Sequence, residues 1–274
     1  MDSILNLSIS DEKINILQIT DTHLFADKEE KLLGIPTFKT FHAVINKILA
    51  LGKKYHLIVC SGDISQDQTE LSYTHFMQEI EKLETPLVWI PGNHDEQSLM
   101  QKLLTNKTIF QSKTIVVNNN WQLVLLDSQF KGYPKGMLND KQLDFLDNTL
   151  HESKDKNTLI FIHHNPKECG SAWLDEHKLQ NSDALAKILE KHEGIKAVIC
   201  GHIHQEINSS WLSWPFYSTP STSIQFLPQS DQFSLDVNYP GFREFELNLN
   251  GSFSTKVTRI ETPFYQIDKE AKGY

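Results

Sequence analysis

Six apolar runs of strand length each stop abruptly in polar residues: INILQITDTH, HLIVCSGD, PLVWIPGNHD, QLVLLDS, TLIFIHH and AVICGHIH. A strand that is apolar on both faces must be covered on both faces, so these runs call for a sheet enclosed by other layers. The segments between them can supply that cover. In FKTFHAVINKILALGKK, Phe41, Val44, Ile45, Ile48 and Leu49 fall on one helical face. LSYTHFMQEIEKL and NDKQLDFLDNTLHES have the same period, the second with Asn139 or Asp140 as N-cap, and SDALAKILEKHE opens at Ser182. Alternating strands and helices define an α/β class. After residue 208 the texture changes to FREFELNLN and SFSTKVTRI separated by Asn-Gly, which reads as a hairpin. This β-rich portion is expected to join or extend the sheet. With no repeat, low-complexity tract or Gly/Ser linker, one domain is expected over residues 1–274, its catalytic core at about 14–260.

Composition narrows the partners. A formal charge of −9 and a pI near 5.7 disfavour nucleic acid or an anionic membrane as the main partner, because both would be repelled. No apolar run approaches the roughly 18 residues needed to span a bilayer, and the N-terminal stretch lacks the pattern of a signal peptide. Cys60, Cys169 and Cys200 are an odd set without C-x-x-C spacing, and Cys60 and Cys200 each close an apolar run. They read as reduced, buried thiols, which fits a cytoplasmic protein.

In α/β sheets the ligand site lies beyond the carboxyl ends of the strands, and there Asp, Asn and His collect. TDTH supplies Asp21 and His23, SGD supplies Asp63, and GNHD supplies Asn93, His94 and Asp95. IHH supplies His163 and His164, and GHIH supplies His202 and His204. Oxygens mixed with imidazole nitrogens, without thiolate, suit Fe, Mn or Zn better than Ca or Mg. Ligands at i and i+2 of an extended segment point to one side, so D-x-H and H-x-H should each aim two donors at one place. Seven donors are too many for one tetrahedral ion and about right for two ions sharing a carboxylate. Singly, D-x-H and G-D are ordinary turn chemistry. Their joint occurrence at strand ends is what points to a metal centre.

In this order D-x-H, G-D, G-N-H-D, H-H and G-H-x-H resemble the calcineurin-like metallophosphoesterase superfamily. HHNPKECGSAWLDEHKLQN, CGHIHQE and STPSTSIQFLP resemble its bacterial class III 3′,5′-cyclic AMP phosphodiesterases, and the likeness runs from Ile16 to about Arg259. The resemblance implies a four-layer α/β/β/α sandwich, two mixed sheets flanked by helices. It implies two divalent ions per chain, Fe or Mn or both, with Zn or Co as alternatives. Asp21, His23 and His204 would hold one ion, Asn93, His163 and His202 the other, and Asp63 would bridge them. His94 would contact phosphate without binding metal, and substrate would meet His23, Asp63, Asn93, His94 and His204. The family's H-x-x-P-like segment points to His163 as ligand, with His164 behind it. Asp95 reads as an acceptor for its turn or an orienter of a histidine.

The implied activity is hydrolysis of 3′,5′-cyclic AMP to 5′-AMP. Two cations about 3.5–4 Å apart neutralise phosphoryl oxygens and acidify a bridging water. The resulting hydroxide is expected to attack phosphorus in line with O3′, with Asp63 and His94 as the catalytic residues. A protonated His94 would give O3′ its proton, a contribution of about 10²–10⁴ in rate. Trp173 and Phe226 are candidates to border the base, and the role of His177 stays open. The alternative substrates are a 2′,3′-cyclic nucleotide or a glycerophosphodiester. A non-catalytic scaffold is disfavoured because every ligand position is filled. The expected partner is the cyclic nucleotide, with neither nucleic acid nor membrane, acting on a monomer or homodimer.

Overall fold

The computed structural model describes residues 4–261, 265–268, 271 and 273. All six apolar runs form strands, three in each of two sheets. One sheet runs in the order β15 (Phe253–Arg259), β14 (Gly241–Asn248), β2 (Lys13–Ile19), β5 (Leu57–Cys60), β6 (Leu87–Trp89) and β7 (Ile109–Phe110). Strands β2, β5, β6 and β7 are parallel, and β14 is antiparallel to both neighbours. The other sheet runs β1 (Ile4–Leu7), β8 (Thr114–Val117), β9 (Trp121–Leu126), β10 (Asn157–Ile162), β11 (Ile195–Cys200), β13 (Trp214–Ser218) and β12 (Ile207–Trp211). Here β9, β10, β11 and β13 are parallel, while β8 and β12 pair antiparallel at either side. A small hairpin, β3 (Lys31–Leu32) with β4 (Ile35–Pro36), stands apart.

The continuous apolar runs follow from the layering. Side chains alternate along a strand, and here each face meets a different apolar layer. From β2, β5, β10 and β11, Ile14, Ile16, Val59, Leu159, Phe161 and Ile199 pack between the sheets with Phe245 of β14. Their neighbours Leu17, Ile19, Ile58 and Cys60 face α1 (Thr37–Ala50), α2 (Glu70–Ile80) and α3 (Gln97–Leu103), which bring Phe41, Phe76 and Met100. On the opposite side, Ile160, Ile162, Val198 and Cys200 face α4 (Asp140–Glu152) and the helix Ser182–Leu189, which bring Leu146 and Leu185. The result is the α/β/β/α sandwich.

Local details follow the chain. Asn139 caps α4, its side-chain oxygen accepting from the Gln142 amide at 3.0 Å. Leu49 departs from expectation: it lies 46% exposed, outside the buried stripe of α1. The C-terminal hairpin forms as read and extends one sheet through β14, while β12 and β13 extend the other. No helix among the described residues is long and apolar enough to cross a membrane, and the three cysteines are free.

Candidate active site

Strands β2, β5 and β6 of one sheet and β10 and β11 of the other end at the same edge, and the polar residues following them converge. The backbone there is not extended. Asp21 (φ 55°), His23 (47°), Asp63 (52°), His202 (65°) and His204 (50°) are all left-handed. Such non-glycine residues cost of order 1–3 kcal/mol each and persist where surrounding structure over-determines them. This corrects the extended D-x-H and H-x-H geometry expected from the spacing: the chain turns sharply after each strand. Bonds between neighbouring turns hold it. The Asp21 and His23 amides donate to the Gly62 and Asp63 carbonyls at 2.9 and 3.0 Å. The His94 amide donates to Asp63 Oδ1 at 2.8 Å, and the His202 amide to Asp21 Oδ2 at 3.1 Å. Close approach demands glycine twice. A Cβ on Gly92 would lie 2.1 Å from Asp63 Oδ1, and one on Gly201 would lie 2.2 Å from Thr20 Oγ1.

The side chains meet as a cluster of acceptors. His23 Nδ1 lies 2.6 Å from Gln66 Oε1, His163 Nδ1 2.7 Å from the Ser61 carbonyl, and His204 Nδ1 2.9 Å from the Ile224 carbonyl. Each contact places a proton on Nδ1, so Nε2 is the ring nitrogen that faces inward. His23 Nε2 and His204 Nε2 face each other at 3.2 Å. His204 Nε2 lies 3.3 Å from Asp21 Oδ1, and His163 Nε2 lies 3.2 Å from both Asp63 Oδ2 and Asn93 Oδ1. Lone pairs at these distances repel unless a proton or a metal cation sits among them. The donor set therefore fits bound metal. Ligand atoms of Asp21, His23 and His204 lie within 4.8 Å of one another, as do those of Asp21, Asp63 and His163. His202 stands on the His163 side, rings 5.1 Å apart, and its buried Nε2 has no partner among the described residues. His23 and His204 stand together with ring centroids 5.0 Å apart.

His163 continues the inward alternation of Leu159 and Phe161, whereas His164 turns away. The ring nitrogens of His164 are both engaged, Nδ1 with Ser128 Oγ at 2.8 Å and Nε2 with the Pro134 carbonyl at 3.2 Å. His164 also falls within reach of His163 and His202, but those bonds make it a brace behind them. Asp95 serves its turn: its carboxylate accepts from the amides of Gly92, Ile64 and Ser65 and from Tyr73 Oη.

Charge in the cluster is uneven. Burial opposes the charge on Asp63, but His163 and His94 beside it hold its carboxyl well below the usual range. Burial lowers His163, yet Asp63 and its hydrogen bond carry that imidazole up to about 9. His23 is pushed down to about 3 by burial, against the pull of Asp63. Burial, reinforced by the nearby Asp63 charge, raises Asp95 to about 7.

Sequence reasoning missed Ser221 and Ser223, whose hydroxyls donate to the Asp21 carbonyl at 2.6 and 3.2 Å, and Gln66. STPSTSIQF stood out only by resemblance, and nothing in it signalled that contact. Phe226 is a correction. It is fully buried and stacks on His204 with centroids 4.3 Å apart, so it backs a candidate ligand and does not border substrate. Trp173 does reach a cavity of about 680 Å³, whose lining includes Asn93, His94 and His202 together with Trp173, His177 and Phe233.

Two sheets in an α/β/β/α sandwich gather carboxylates and imidazoles where their strands end. The model of the calcineurin-like phosphoesterase family matches residues 14–206, and the chain belongs to that family, which uses a dinuclear metal centre. It is 41% identical over 275 residues, all of both chains, to the 3′,5′-cyclic adenosine monophosphate phosphodiesterase CpdA of Escherichia coli (strain K12). Against the protein of the same name from Vibrio vulnificus (strain CMCP6), identity is 42% over 97% of each chain. Among solved structures, a dimetal phosphatase from Danio rerio shares the fold at a TM-score of 0.61 and 15% identity, over 92% of this chain and 100% of that one.

Proposed function

We propose that the protein hydrolyses 3′,5′-cyclic AMP to 5′-AMP with two divalent ions. Asp21, His23 and His204 would hold one, Asn93, His163 and His202 the other, and Asp63 would be shared. The observation that carries this reading is the inward ring of acceptors, above all His23 Nε2 facing His204 Nε2 at 3.2 Å. Full-length identity near 40% to relatives named cyclic AMP phosphodiesterases supports the substrate. Oxygen and imidazole donors without thiolate favour Fe or Mn, with Zn or Co as substitutes.

When bound, the ions supply positive charge to phosphoryl oxygens and make water a competent nucleophile near neutral pH. The protein's own residues do the rest. Asp63, ionised through its histidine neighbours, fixes the centre of the cluster. His94 stands edge-on to His23, centroids 5.0 Å apart, at the border between cluster and cavity. Burial lowers its pKa, so the resting imidazole is neutral. A phosphodiester anion arriving beside it favours the protonated form, which donates to the phosphoryl oxygens and gives the departing O3′ its proton. The acidic surface and the cavity suit a small diester in the cytoplasm better than a nucleic acid.

Metal-reconstituted protein should be compared on cyclic AMP, 2′,3′-cyclic AMP and bis(p-nitrophenyl) phosphate. A higher kcat/KM for cyclic AMP supports the reading, and preference for either other diester overturns it. His94→Ala should retain most of its metal and lose about 10²–10⁴ in kcat. Turnover at the parental rate with normal metal content would remove His94 from the mechanism.

A further inference from the structure

We infer that the part of the cavity wall formed by Trp173, Phe233 and His177 is a purine subsite, in which the Trp173 and Phe233 rings, inclined at 64° to each other, form an aromatic corner and His177 reads the ring edge. The inference rests on the phosphodiesterase reading above and extends it to the base. One cavity of about 680 Å³ touches both Asn93, His94 and His202 and this wall, so a group seated on the wall is attached to whatever the cluster holds. The volume is in the range of sites that enclose a whole small ligand, about 300–1,000 Å³.

A chain of rings ties the wall to the cluster. Phe226 stacks on His204, Trp173 meets Phe226 edge-on at 4.9 Å, and Phe233 meets Trp173 at 5.0 Å. The spacing between the phosphate position and the aromatic face is thereby fixed by packing, as an enzyme that grips both ends of one small molecule requires. Polar groups on the wall are few. Burial lowers the half-buried His177, so its neutral ring offers one donor and one acceptor. Glu176 and Asp231 also line the cavity and are exposed to solvent. Their charge disfavours a second phosphate there and suits a neutral heterocycle carrying an exocyclic amine. Aromatic surface with a few edge-reading groups is the composition that binds nucleobases.

Inhibition by 5′-AMP and by inorganic phosphate separates the base from the phosphate. In His177→Ala and in Trp173→Leu, KM for cyclic AMP and Ki for 5′-AMP should rise roughly tenfold, the loss expected for one base contact. Ki for inorganic phosphate, which reports on the metal cluster alone, should stay within about twofold. Having two variants guards against one that fails to fold. If 5′-AMP inhibition is unchanged in a folded variant, or if both Ki values rise together, the subsite is refuted. Failure of the parent reading looks different: the unmodified protein would itself not prefer cyclic AMP, whatever the two inhibitors do.

Discussion

At His163 a metal ion must compete with a proton. Asp63 carries this imidazole to about 9 despite its burial, so in metal-free protein near pH 7 the ring is charged and loading expels a proton. Apparent metal affinity should rise with pH, by about tenfold per unit for one proton, and level off near pH 9. Calorimetric titration in two buffers of different ionisation enthalpy near pH 7.5 should show release of about one proton. Identical heats would contradict this. The stability of the metal-free protein runs the other way. The raised pKa stabilises it fully below the ordinary histidine value near 6.5, and that contribution is lost as pH climbs through about 9. Much at this scale was legible, because metal chemistry restricts which residue types can appear together. Between His163 and His164 the residues alone did not choose: the family resemblance pointed to His163, which in the structure continues the inward alternation of Leu159 and Phe161. Phe226 was not legible, since an aromatic residue reads the same in front of a ligand or behind it. Nor were the Ser221 and Ser223 hydroxyls, which act through the Asp21 backbone.

The turns after the strands decide whether those residues meet. Motif spacing marked the segments that converge, but their left-handed backbone was hidden, because it arises from contacts with turns distant in sequence. Gly92 is an example. Its Cβ position is occupied by Asp63 Oδ1, 2.1 Å away, so Gly92→Ala should drive the two turns apart. Metal affinity and activity should then fall together while the strands remain, as far-ultraviolet circular dichroism and metal analysis would register. A variant with unchanged metal affinity would show that the turns tolerate separation. Strand and helix identity was easier to read, because six runs with two apolar faces admit few arrangements. Leu159 lies buried between the sheets, and Leu159→Ala should cost about 2–5 kcal/mol. Denaturant titration gives that number, with metal stoichiometry unaltered.

Taken whole, the molecule is two sheets whose strand ends supply opposite halves of one site, with Asp21, His23, Asp63 and Asn93 on one side and His163, His202 and His204 on the other. The layer between the sheets, from Ile16 to Phe161 and Phe245, sets the separation of the halves, so the site exists only when both sheets are packed. We propose that the chain is one domain, and its metal-free form should unfold in a single transition by calorimetry. Two resolved transitions would divide the sheets into separate units. Sharing of Asp63 between two ions is the claim on which the catalytic account stands. Titrating metal-free protein and Asp63→Ala with manganese, followed by direct metal analysis, tests it. The account predicts two ions per chain in the parent and severe loss of both in the variant. One ion in the parent at saturation, or two retained by the variant, would contradict it.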